Sequence, residues 1–237
     1  MTNSIHLKRH NSPRAWGIRR KGITFISKPN PGSFKRKYST SILILFREIL
    51  KYAKTTKEVK TLIRTEEILL NGKKVNDIKT PCGIFDIIEI KKTNEKLRLV
   101  FNEFGNFKLV PIKKEVMYLR LTKKISMKNK KFQLGFMNGH NLLCDEKTFK
   151  SIKVNDTIVY DYKKKKIESI CSLKEGAYIY IIDGNFQGKL GVMKSITHYN
   201  GLSKDVCEIQ LGKELKTTAK KYCFVVGMKK EDVEDFK

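Results

Sequence analysis

The amino-terminal end is the feature that most limits what this chain can fold into. Residues 1–47 contain 11 Lys or Arg and no acidic residue, and Glu48 is the first acid. Pro and Gly interrupt the segment, and "KPNPGSFKRK" (28–37) is typical of extended or turned chain. Such a segment has too little apolar surface to order itself. We therefore predict a basic extended arm over residues 1–40 that becomes ordered against a partner.

The charge of the whole chain indicates the kind of partner. The 237 residues include 50 Lys or Arg and 24 Asp or Glu, which gives a formal net charge of +26. Like charges at this density repel one another unless a polyanion neutralises them, and nucleic acid is the commonest such partner. Hydrophobic residues make up 40% of the chain, enough for packed cores. We expect a folded nucleic-acid-binding protein.

Cysteine usage and hydropathy exclude several other classes. The five cysteines are far apart and form no CxxC pair, which argues against a disulfide framework and a Cys-rich zinc site. We expect buried free thiols in a reducing compartment. The sequence contains no run of about 18 apolar residues, so no membrane span is indicated. The amino terminus also lacks the apolar core of a secretory signal.

The sequence gives little support for catalysis. His6 and His10 lie in the arm, and His140 and His198 are isolated from each other. No HExxH, GxSxG or Cys/His signature occurs. The glycine-rich stretch at 184–191 precedes a strand pattern, so it predicts β-turns of a small barrel and no phosphate loop. We expect no catalytic residue, metal site, cofactor or small-molecule substrate.

A helical module follows the arm. From Ser41, apolar residues recur at the spacing of one helix face. Thr55 and Glu58 fit a capping box, so a second helix is predicted to begin near Thr56. Next, "EILLNGKKV" predicts a hairpin with a type I′ turn at Asn71-Gly72, because both turn positions need positive φ. A further strand, "IFDIIEI" (84–90), completes the module.

The rest of the chain is dominated by strand patterns. Short β-rich runs between turns fill residues 97–170, with hairpins expected at Gly105-Asn106 and Asn138-Gly139. Another β-rich unit begins at Leu173. "KKKKI" (163–167) predicts a solvated hairpin tip or, equally, a loop that contacts nucleic-acid backbone.

We therefore predict an α+β, multi-domain fold. Its parts are a basic amino-terminal arm (1–40), a small two-helix/β-hairpin module (41–92), a central small β-barrel or sandwich (93–172), a carboxy-terminal small β-barrel (173–227) and a tail (228–237). The family resemblance given below implies that the carboxy-terminal barrel is SH3-like and ends in a closing strand.

Cations of the arm and of the helical module are the candidate nucleic-acid-binding groups, and the family resemblance given below implies that the nucleic acid is RNA. Lys and Arg would bind phosphates, and the amino terminus of the second helix offers free N–H groups. A merely solvated helix face is the alternative. Trp16, with Phe25 and Phe34, could stack on bases, or Trp16 could dock on the protein's own β-domain. The candidates are Lys8, Arg9, Arg14, Trp16, Arg19, Arg20, Lys21, Lys28, Lys35, Arg36, Lys37, Arg47, Lys51, Thr56, Lys57, Lys60, Arg64, Lys73 and Lys74.

These pieces, in this order, resemble the archaeal and eukaryotic small-ribosomal-subunit protein four, e-type family. "HLKRHNSPRAWGIRRKG" and "PNPGSF" resemble its amino-terminal segment, and residues 39–90 resemble its alpha-L RNA-binding module. "LRLV…LVPI…EVMYLRL" and "FQLGFMNGHNLLC" resemble its central β-domain. "EGAYIYIIDGNFQGKLGVMKSI" resembles its KOW module, and "TTAKKYCFVVG" its closing strand. The resemblance covers nearly the whole chain.

The resemblance implies a structural role with no catalysis. The implied partners are small-subunit ribosomal RNA and neighbouring small-subunit proteins, with no membrane contact and no homo-oligomer. The implied location is the cytoplasmic ribosome, with nuclear or nucleolar passage during assembly if the source is eukaryotic. The chain departs from the family pattern at two places: 138–141 reads Asn-Gly-His-Asn where an Asp-Gly-Arg-Asn type turn is usual, and Phe34 stands where His is common.

Two other functions compete with the ribosomal one. An RNA-modifying enzyme could carry an alpha-L module, but the chain lacks a "GRLD"-like string and has little room for a catalytic domain. An assembly or transcription factor could use a KOW module for protein contacts, although such factors seldom need a charge of +26.

Overall fold

The computed structural model describes residues 6–65, 67–112, 114–127, 131–199, 205–212 and 214–228, together with Val233 and Phe236. The chain divides into an amino-terminal unit, Met1–Glu115, and a carboxy-terminal unit, Val116–Lys237. Strands predominate among the described residues, and helices are few and short. In this coarser form the predicted α+β fold with several sheets is confirmed. Most of the expected 228–237 tail lies outside the described residues.

The amino-terminal unit combines short ladders with one larger sheet. Its strands are β1 Leu7–Lys8, β2 Phe25–Ile26, β3 Ser39–Ser41, β4 Ile68–Leu70, β5 Lys73–Lys74, β6 Pro81–Gly83, β7 Ile87–Ile90, β8 Glu95–Phe101 and β9 Phe107–Pro111. Strand β1 pairs with β2, and β3 pairs with β6. The larger sheet has the order β5-β4-β7-β8-β9, and all of these pairs are antiparallel.

The arm is more structured than the sequence predicts. β1 pairs with β2, so the residues between these strands form a closed loop that contains the 3-10 turns Arg9–Asn11 and Arg14–Trp16. Leu7, Trp16 and Ile26 are buried. The expectation that this segment cannot bury apolar surface without a partner is therefore wrong for its described residues, because the closed loop supplies apolar side chains from both of its ends.

The two predicted helices are present. Ser41 caps α1 (Ile42–Ile44), since its side chain accepts a hydrogen bond from the N–H of Ile44, and the chain continues as a π-helical turn, Leu45–Ile49. The capping box at α2 (Thr56–Thr65) is confirmed, because Glu58 N–H donates to Thr55 Oγ1 at 3.2 Å. The type I′ turn is also confirmed: φ is 50° at Asn71 and 76° at Gly72.

The division between the units lies downstream of the 92/93 boundary predicted from sequence. β7 pairs with β8, and β8 pairs with β9, so these strands extend the sheet that begins with the β4–β5 hairpin. Leu99 and Val100 are buried in this unit. A short turn joins β7 to β8, and the antiparallel ladder that results keeps residues 95–111 with the amino-terminal unit.

The carboxy-terminal unit contains two sheets. The strands are β10 Met117–Ser126, β11 Phe132–Phe136, β12 Asn141–Cys144, β13 Thr157–Asp161, β14 Lys166–Cys171, β15 Tyr178–Ile181, β16 Leu190–Thr197, β17 Val206–Leu211, β18 Glu214–Ala219 and β19 Cys223–Gly227. The first sheet has the order β12-β11-β10-β13-β14 and the second the order β18-β17-β16-β15-β19, and neighbouring strands in both run antiparallel. A short helix, α3 (Glu146–Ser151), follows β12.

A buried arginine links the two sheets of this unit. Arg120, in β10, donates 2.7 Å hydrogen bonds to the carbonyl of Lys221, just before β19, and to Asn155 Oδ1. The predicted β-turns of the glycine-rich stretch are confirmed, since φ is 90° at Gly184 and 84° at Gly188. Gly191 has another role: a Cβ there would lie 2.7 Å from the carbonyl oxygen of Gln210 on the paired strand.

The cysteines and the helices bear on two of the excluded classes. All five cysteines, each within the described residues, are free, and four of them are buried while Cys144 is half-buried. Within the described part of the chain, no helix has the length and apolar character needed to cross a membrane.

Candidate nucleic-acid interface

Trp16 anchors the arm within the amino-terminal unit. Only 1% of its side chain is exposed, and its indole N–H donates a 2.9 Å hydrogen bond to the carbonyl of Ser39 in β3. A ring this deeply buried has no face available to a base. The stacking role predicted for Trp16 therefore has no support in this structure. The ring docks on the protein itself, but at β3 and not at the β-domain that the sequence analysis offered as the alternative.

Arg9 is also a structural residue and not a surface cation. Its guanidinium is buried and donates to the carbonyl of Arg19 at 2.7 Å and to Glu48 Oε1 at 2.9 Å. The first bond spans the base of the closed loop, and the second ties the loop to the π-helical turn. Arg47, which is half-buried, shares Glu48 Oε1 at 3.0 Å. Arg9 is thus a second correction, because its charge is neutralised inside the protein.

The loop between β1 and β2 presents its other cations to solvent. Lys8, Arg14, Arg19 and Lys21 are exposed. Arg20 is exposed as well, but its guanidinium donates to the carbonyls of His10 at 2.7 Å and Ser12 at 3.3 Å, so it also fixes the loop. The loop therefore combines a bonded frame with an acid-free outer surface, which favours binding to a polyanion.

The remaining arm aromatics differ in accessibility. A Cβ added at Gly83 would overlap the ring of Phe34, so Phe34 packs over Gly83 and is half-buried. Phe25 is 51% exposed, and its ring centroid lies 5.3 Å from that of His6. Phe25 is accordingly the arm aromatic that stays accessible for stacking.

Helix α2 presents a row of cations on one face. Lys57, Lys60 and Arg64 are exposed, whereas Val59 and Ile63 are buried. The spacing of three and four residues places the three cations along one side of the helix. The predicted cationic face of α2 is therefore accessible to solvent.

The amino terminus of α2 is already capped by an acid of the protein. Glu58 Oε2 accepts hydrogen bonds from the backbone N–H of Lys54 at 2.7 Å and of Thr55 at 3.4 Å. These hydrogen bonds lower the pKa of Glu58, and the bond from the Lys54 N–H has the largest effect. A carboxylate at this position complements the helix dipole, so the predicted phosphate site at half-buried Thr56 is weakened.

The Lys73–Lys74 hairpin is held by a buried acid. Asn71 Nδ2 donates to Asp86 Oδ1 at 2.8 Å, and the N–H of Gly83 donates to Asp86 Oδ2 at 2.7 Å. Burial raises the pKa of Asp86 from its ordinary value of 3.8 to about 6, although both hydrogen bonds oppose the increase. The turn at Asn71 is therefore fixed to the sheet, and the two exposed lysines that follow it have a defined position.

All of the predicted site residues lie in the amino-terminal unit, but they differ in accessibility. Arg9 and Trp16 are buried, and Lys28, Arg47 and Thr56 are half-buried. The exposed ones are Lys8, Arg14, Arg19, Arg20, Lys21, Lys35, Arg36, Lys37, Lys51, Lys57, Lys60, Arg64, Lys73 and Lys74.

Sequence reasoning missed two acids that organise this surface. Glu48 has a sequence signal, since it is the first acid after 47 residues without one and directly follows Arg47. Asp86 has no such signal, because its partner Asn71 lies 15 residues away and becomes a neighbour only in the folded sheet. Among the described residues, no group of three or more His, Cys, Asp or Glu side chains is arranged to hold a metal ion.

The fold and this surface define a basic protein of several β-sheets whose exposed cations are suited to a polyanion. The family described as Ribosomal family S4e matches residues 93–167, and the RS4NT (NUC023) domain matches residues 1–35. The chain is 32% identical over 227 residues to small ribosomal subunit protein eS4 of Pyrobaculum islandicum, covering 94% of this chain and 95% of that protein. This chain belongs to the S4e family.

Other relatives agree with this assignment. The eS4 protein of Archaeoglobus fulgidus is 30% identical, with 96% of this chain and 95% of that protein covered. The crystal structure of the 30S ribosomal protein S4e from Thermoplasma acidophilum matches with a TM-score of 0.68 and 26% identity, covering 81% of this chain and 97% of that chain. The resemblance seen in the sequence is therefore confirmed.

Proposed function

We infer that this protein is a structural component of the small ribosomal subunit that binds and stabilises folded small-subunit ribosomal RNA. The observation that carries the inference is the acid-free closed loop with its exposed cations, on a chain that belongs to the S4e family. The loop is held internally by Arg9 and Trp16, so the backbone that carries its outer charges is fixed.

The mechanism is electrostatic and geometric. Each Lys or Arg that contacts a phosphate releases condensed counterions from the RNA, and this release supplies much of the affinity. Because A-form grooves hide most base edges, specificity comes mainly from the shape of the RNA. A pre-arranged set of cations favours the RNA conformation whose phosphates match it, and in this way the protein stabilises one folded form.

The finer assignments follow the family resemblance. We assign α1 to β7, within 41–92, to an alpha-L module and β15 to β19, within 173–227, to a KOW module. The capped α2 and the Asn71-Gly72 hairpin support the first assignment. The sheet order β18-β17-β16-β15-β19 and the turn glycines 184 and 188 support the second. The central β-domain would span 93–172, of which β8 and β9 pack with the preceding sheet.

The partners follow from the same inference. They are small-subunit ribosomal RNA and neighbouring ribosomal proteins, and the protein would be located in the ribosome. The competing functions, an RNA-modifying enzyme and an assembly or transcription factor, are not favoured, since the Pyrobaculum and Archaeoglobus relatives carry the name of a ribosomal subunit protein.

A salt titration of RNA binding tests the inference. The variant replaces Arg14, Arg19 and Lys21 with Gln, and it leaves Arg20 intact because Arg20 holds the loop. The slope of log Kobs against log salt for small-subunit RNA is expected to fall by roughly 0.7–0.9 for each phosphate that the variant no longer binds.

The matched control removes the same charge from the carboxy-terminal unit. Lys147, Lys150 and Lys153, which are exposed on and beside α3, are replaced with Gln. Both variants lose three positive charges, so a non-specific effect of net charge would change both slopes equally. Equal slopes for the two variants, or a wild-type slope for the loop variant, would overturn the assignment of the loop as an RNA contact.

A further inference from the structure

We propose that Phe104 is a stacking platform for an unpaired base of the RNA. The side chain is 88% exposed, at the tip of the β8–β9 hairpin in the amino-terminal unit. The proposal rests on the proposed function, since it names a further contact of the same RNA-binding unit. Single exposed apolar residues are common on protein surfaces, so exposure alone carries little weight. Two further observations carry the proposal.

The first observation is that the hairpin tip is rigidly built. Asn102 Oδ1 accepts hydrogen bonds from the N–H of Phe104 at 3.0 Å and of Asn106 at 2.8 Å. The N–H of Gly105 donates to the carbonyl of Asn102, and Gly105 takes the left-handed position with φ 76°. Below the tip, the rings of Phe101 and Phe107 stack at a centroid distance of 4.9 Å. The turn therefore fixes the backbone at Phe104, so that binding has only the side chain left to order.

The second observation is that the hairpin tip lies close to the cationic loop. Gly17 ends the turn Arg14–Trp16, and a Cβ added at Gly17 would lie 3.6 Å from Asn106 Cβ. Phe104 is two residues from Asn106, and exposed Arg14 belongs to the turn that Gly17 ends. The exposed ring and the exposed cations thus belong to neighbouring segments, and single-stranded RNA is bound by such a combination, with its phosphates on cations and a base on an aromatic ring.

Charge favours RNA over a protein as the occupant. The closed loop that abuts the tip has no acid, whereas Glu103 is the one acid next to Phe104 in the sequence. A hydrophobic pocket of a neighbouring protein would have to approach this positive surface, while an RNA strand is attracted to it. Base stacking also needs no matching pocket, because every base has a π-face.

Substitutions at Phe104 separate stacking from simple apolar contact. Because Phe104 has an ordinary φ and only its backbone N–H bonds within the turn, replacements leave the hairpin intact, which a denaturation midpoint checks. F104A and F104L are expected to weaken binding to naked small-subunit RNA by roughly 5- to 150-fold. F104Y is expected to retain wild-type affinity. The salt slope should stay the same in all three variants, because every Lys and Arg that binds a phosphate is retained.

F104W gives a direct optical signal for the same contact. The native chain has one tryptophan, Trp16, which is buried, so its emission serves as an internal background. We expect the added emission of F104W to be quenched when RNA binds. Leu143, which is 67% exposed in β12 of the other unit, is the matched control, and L143W is expected to show less quenching than F104W.

The outcomes distinguish this proposal from the proposed function. Full affinity in F104L, or unquenched emission of F104W at saturating RNA, would overturn the stacking role. Full affinity of F104A for naked RNA with poor incorporation into reconstituted subunits would identify a protein partner, which also overturns it. If the Arg14, Arg19 and Lys21 variant changes the salt slope while F104A binds normally, this proposal alone fails. If the triple variant keeps the wild-type salt slope and F104A keeps the wild-type affinity, the proposed function fails.

Discussion

The two units carry nearly equal numbers of cations and differ in the role of several acids, although both have exposed acid–lysine pairs, such as Lys91–Glu67 at 2.6 Å in the amino-terminal unit. The amino-terminal unit has 26 Lys or Arg and 10 Asp or Glu, and the carboxy-terminal unit has 24 and 14. In the carboxy-terminal unit, several acids pair with lysines at the surface. Examples are Lys150–Glu146 at 2.6 Å, Lys216–Glu214 at 2.8 Å and Lys220–Asp205 at 3.0 Å. Such pairs contribute little to stability, but they neutralise cations locally.

In the amino-terminal unit, two acids support the scaffold of the cationic surface. Glu48 holds Arg9 beneath the closed loop, and Asp86 holds the turn before Lys73 and Lys74. The exposed cations of the loop are left without acidic neighbours in sequence. From this comparison we expect that the position of the acids, more than the number of cations, selects the surface that binds a polyanion.

The strongest way to break this comparison is to detach the loop. W16A removes a buried indole and its bond to Ser39, and we expect the free energy that holds the arm in place to fall by about 3–5 kcal/mol. Limited proteolysis should then cleave the chain before Ser41 much faster than in the wild type. W16F retains most of the packing and serves as the milder variant. Equal protection of the arm in W16A and the wild type would contradict the anchoring role.

A pH titration of stability tests the buried acid. Because burial raises the folded-state pKa of Asp86 to about 6, the folded state binds more protons than the unfolded chain between about pH 4 and 6. The contribution of Asp86 to stability is therefore fully present below about pH 4 and is lost as the pH rises through about 6. Relative to D86N, the wild type should gain up to roughly 3 kcal/mol between pH 7.5 and 4.

In the carboxy-terminal unit, Asp205 is expected to show the opposite pH dependence of stability from Asp86. The hydrogen bond from Lys220 lowers the pKa of Asp205, so its contribution is present at neutral pH and is lost as the pH falls through the lowered value. Relative to D205N, the wild type should lose stability on acidification. Chemical denaturation of D86N, D205N and the wild type at several pH values measures both differences. Parallel pH profiles for the two variants would refute the contrast between them.

A smaller effect is expected at Glu48. E48Q leaves the buried guanidinium of Arg9 with a neutral acceptor, and since Glu48 is partly exposed we expect a loss of about 1–2 kcal/mol. The counterpart, E214Q, breaks an exposed pair with Lys216 and should leave the denaturation midpoint unchanged. Similar midpoints for E48Q and E214Q would mean that the Arg9–Glu48 pair does not support the loop.

Local sequence signals predicted local structure correctly. The capping box at Thr55 and Glu58 and the Asn71-Gly72 turn involve residues at most three apart, so the motif contains all of the determining contacts. The burial of Arg9 was missed, and the place where Trp16 docks was not identified, because they depend on Glu48 and Ser39, which are 39 and 23 residues away. Composition showed that the arm is basic but did not reveal which of its cations face inward.

The residues of the candidate site were likewise predictable where they depend on local signals and not where they depend on long-range contacts. Exposed arm cations and the Lys57, Lys60 and Arg64 face follow from charge and helical spacing. Asp86 and Phe104 do not, because the role of each depends on a partner brought near by strand pairing: Asn71 for Asp86, and the loop around Gly17 for Phe104.

Crosslinking of the protein to RNA in the intact small subunit, followed by identification of the attached peptides, tests the central claim most directly. We predict crosslinks within residues 8–37, on the exposed face of α2 and at Lys73 and Lys74, with none at the buried Trp16. Crosslinks confined to the carboxy-terminal unit would contradict the assignment of the amino-terminal cations as the principal RNA contact.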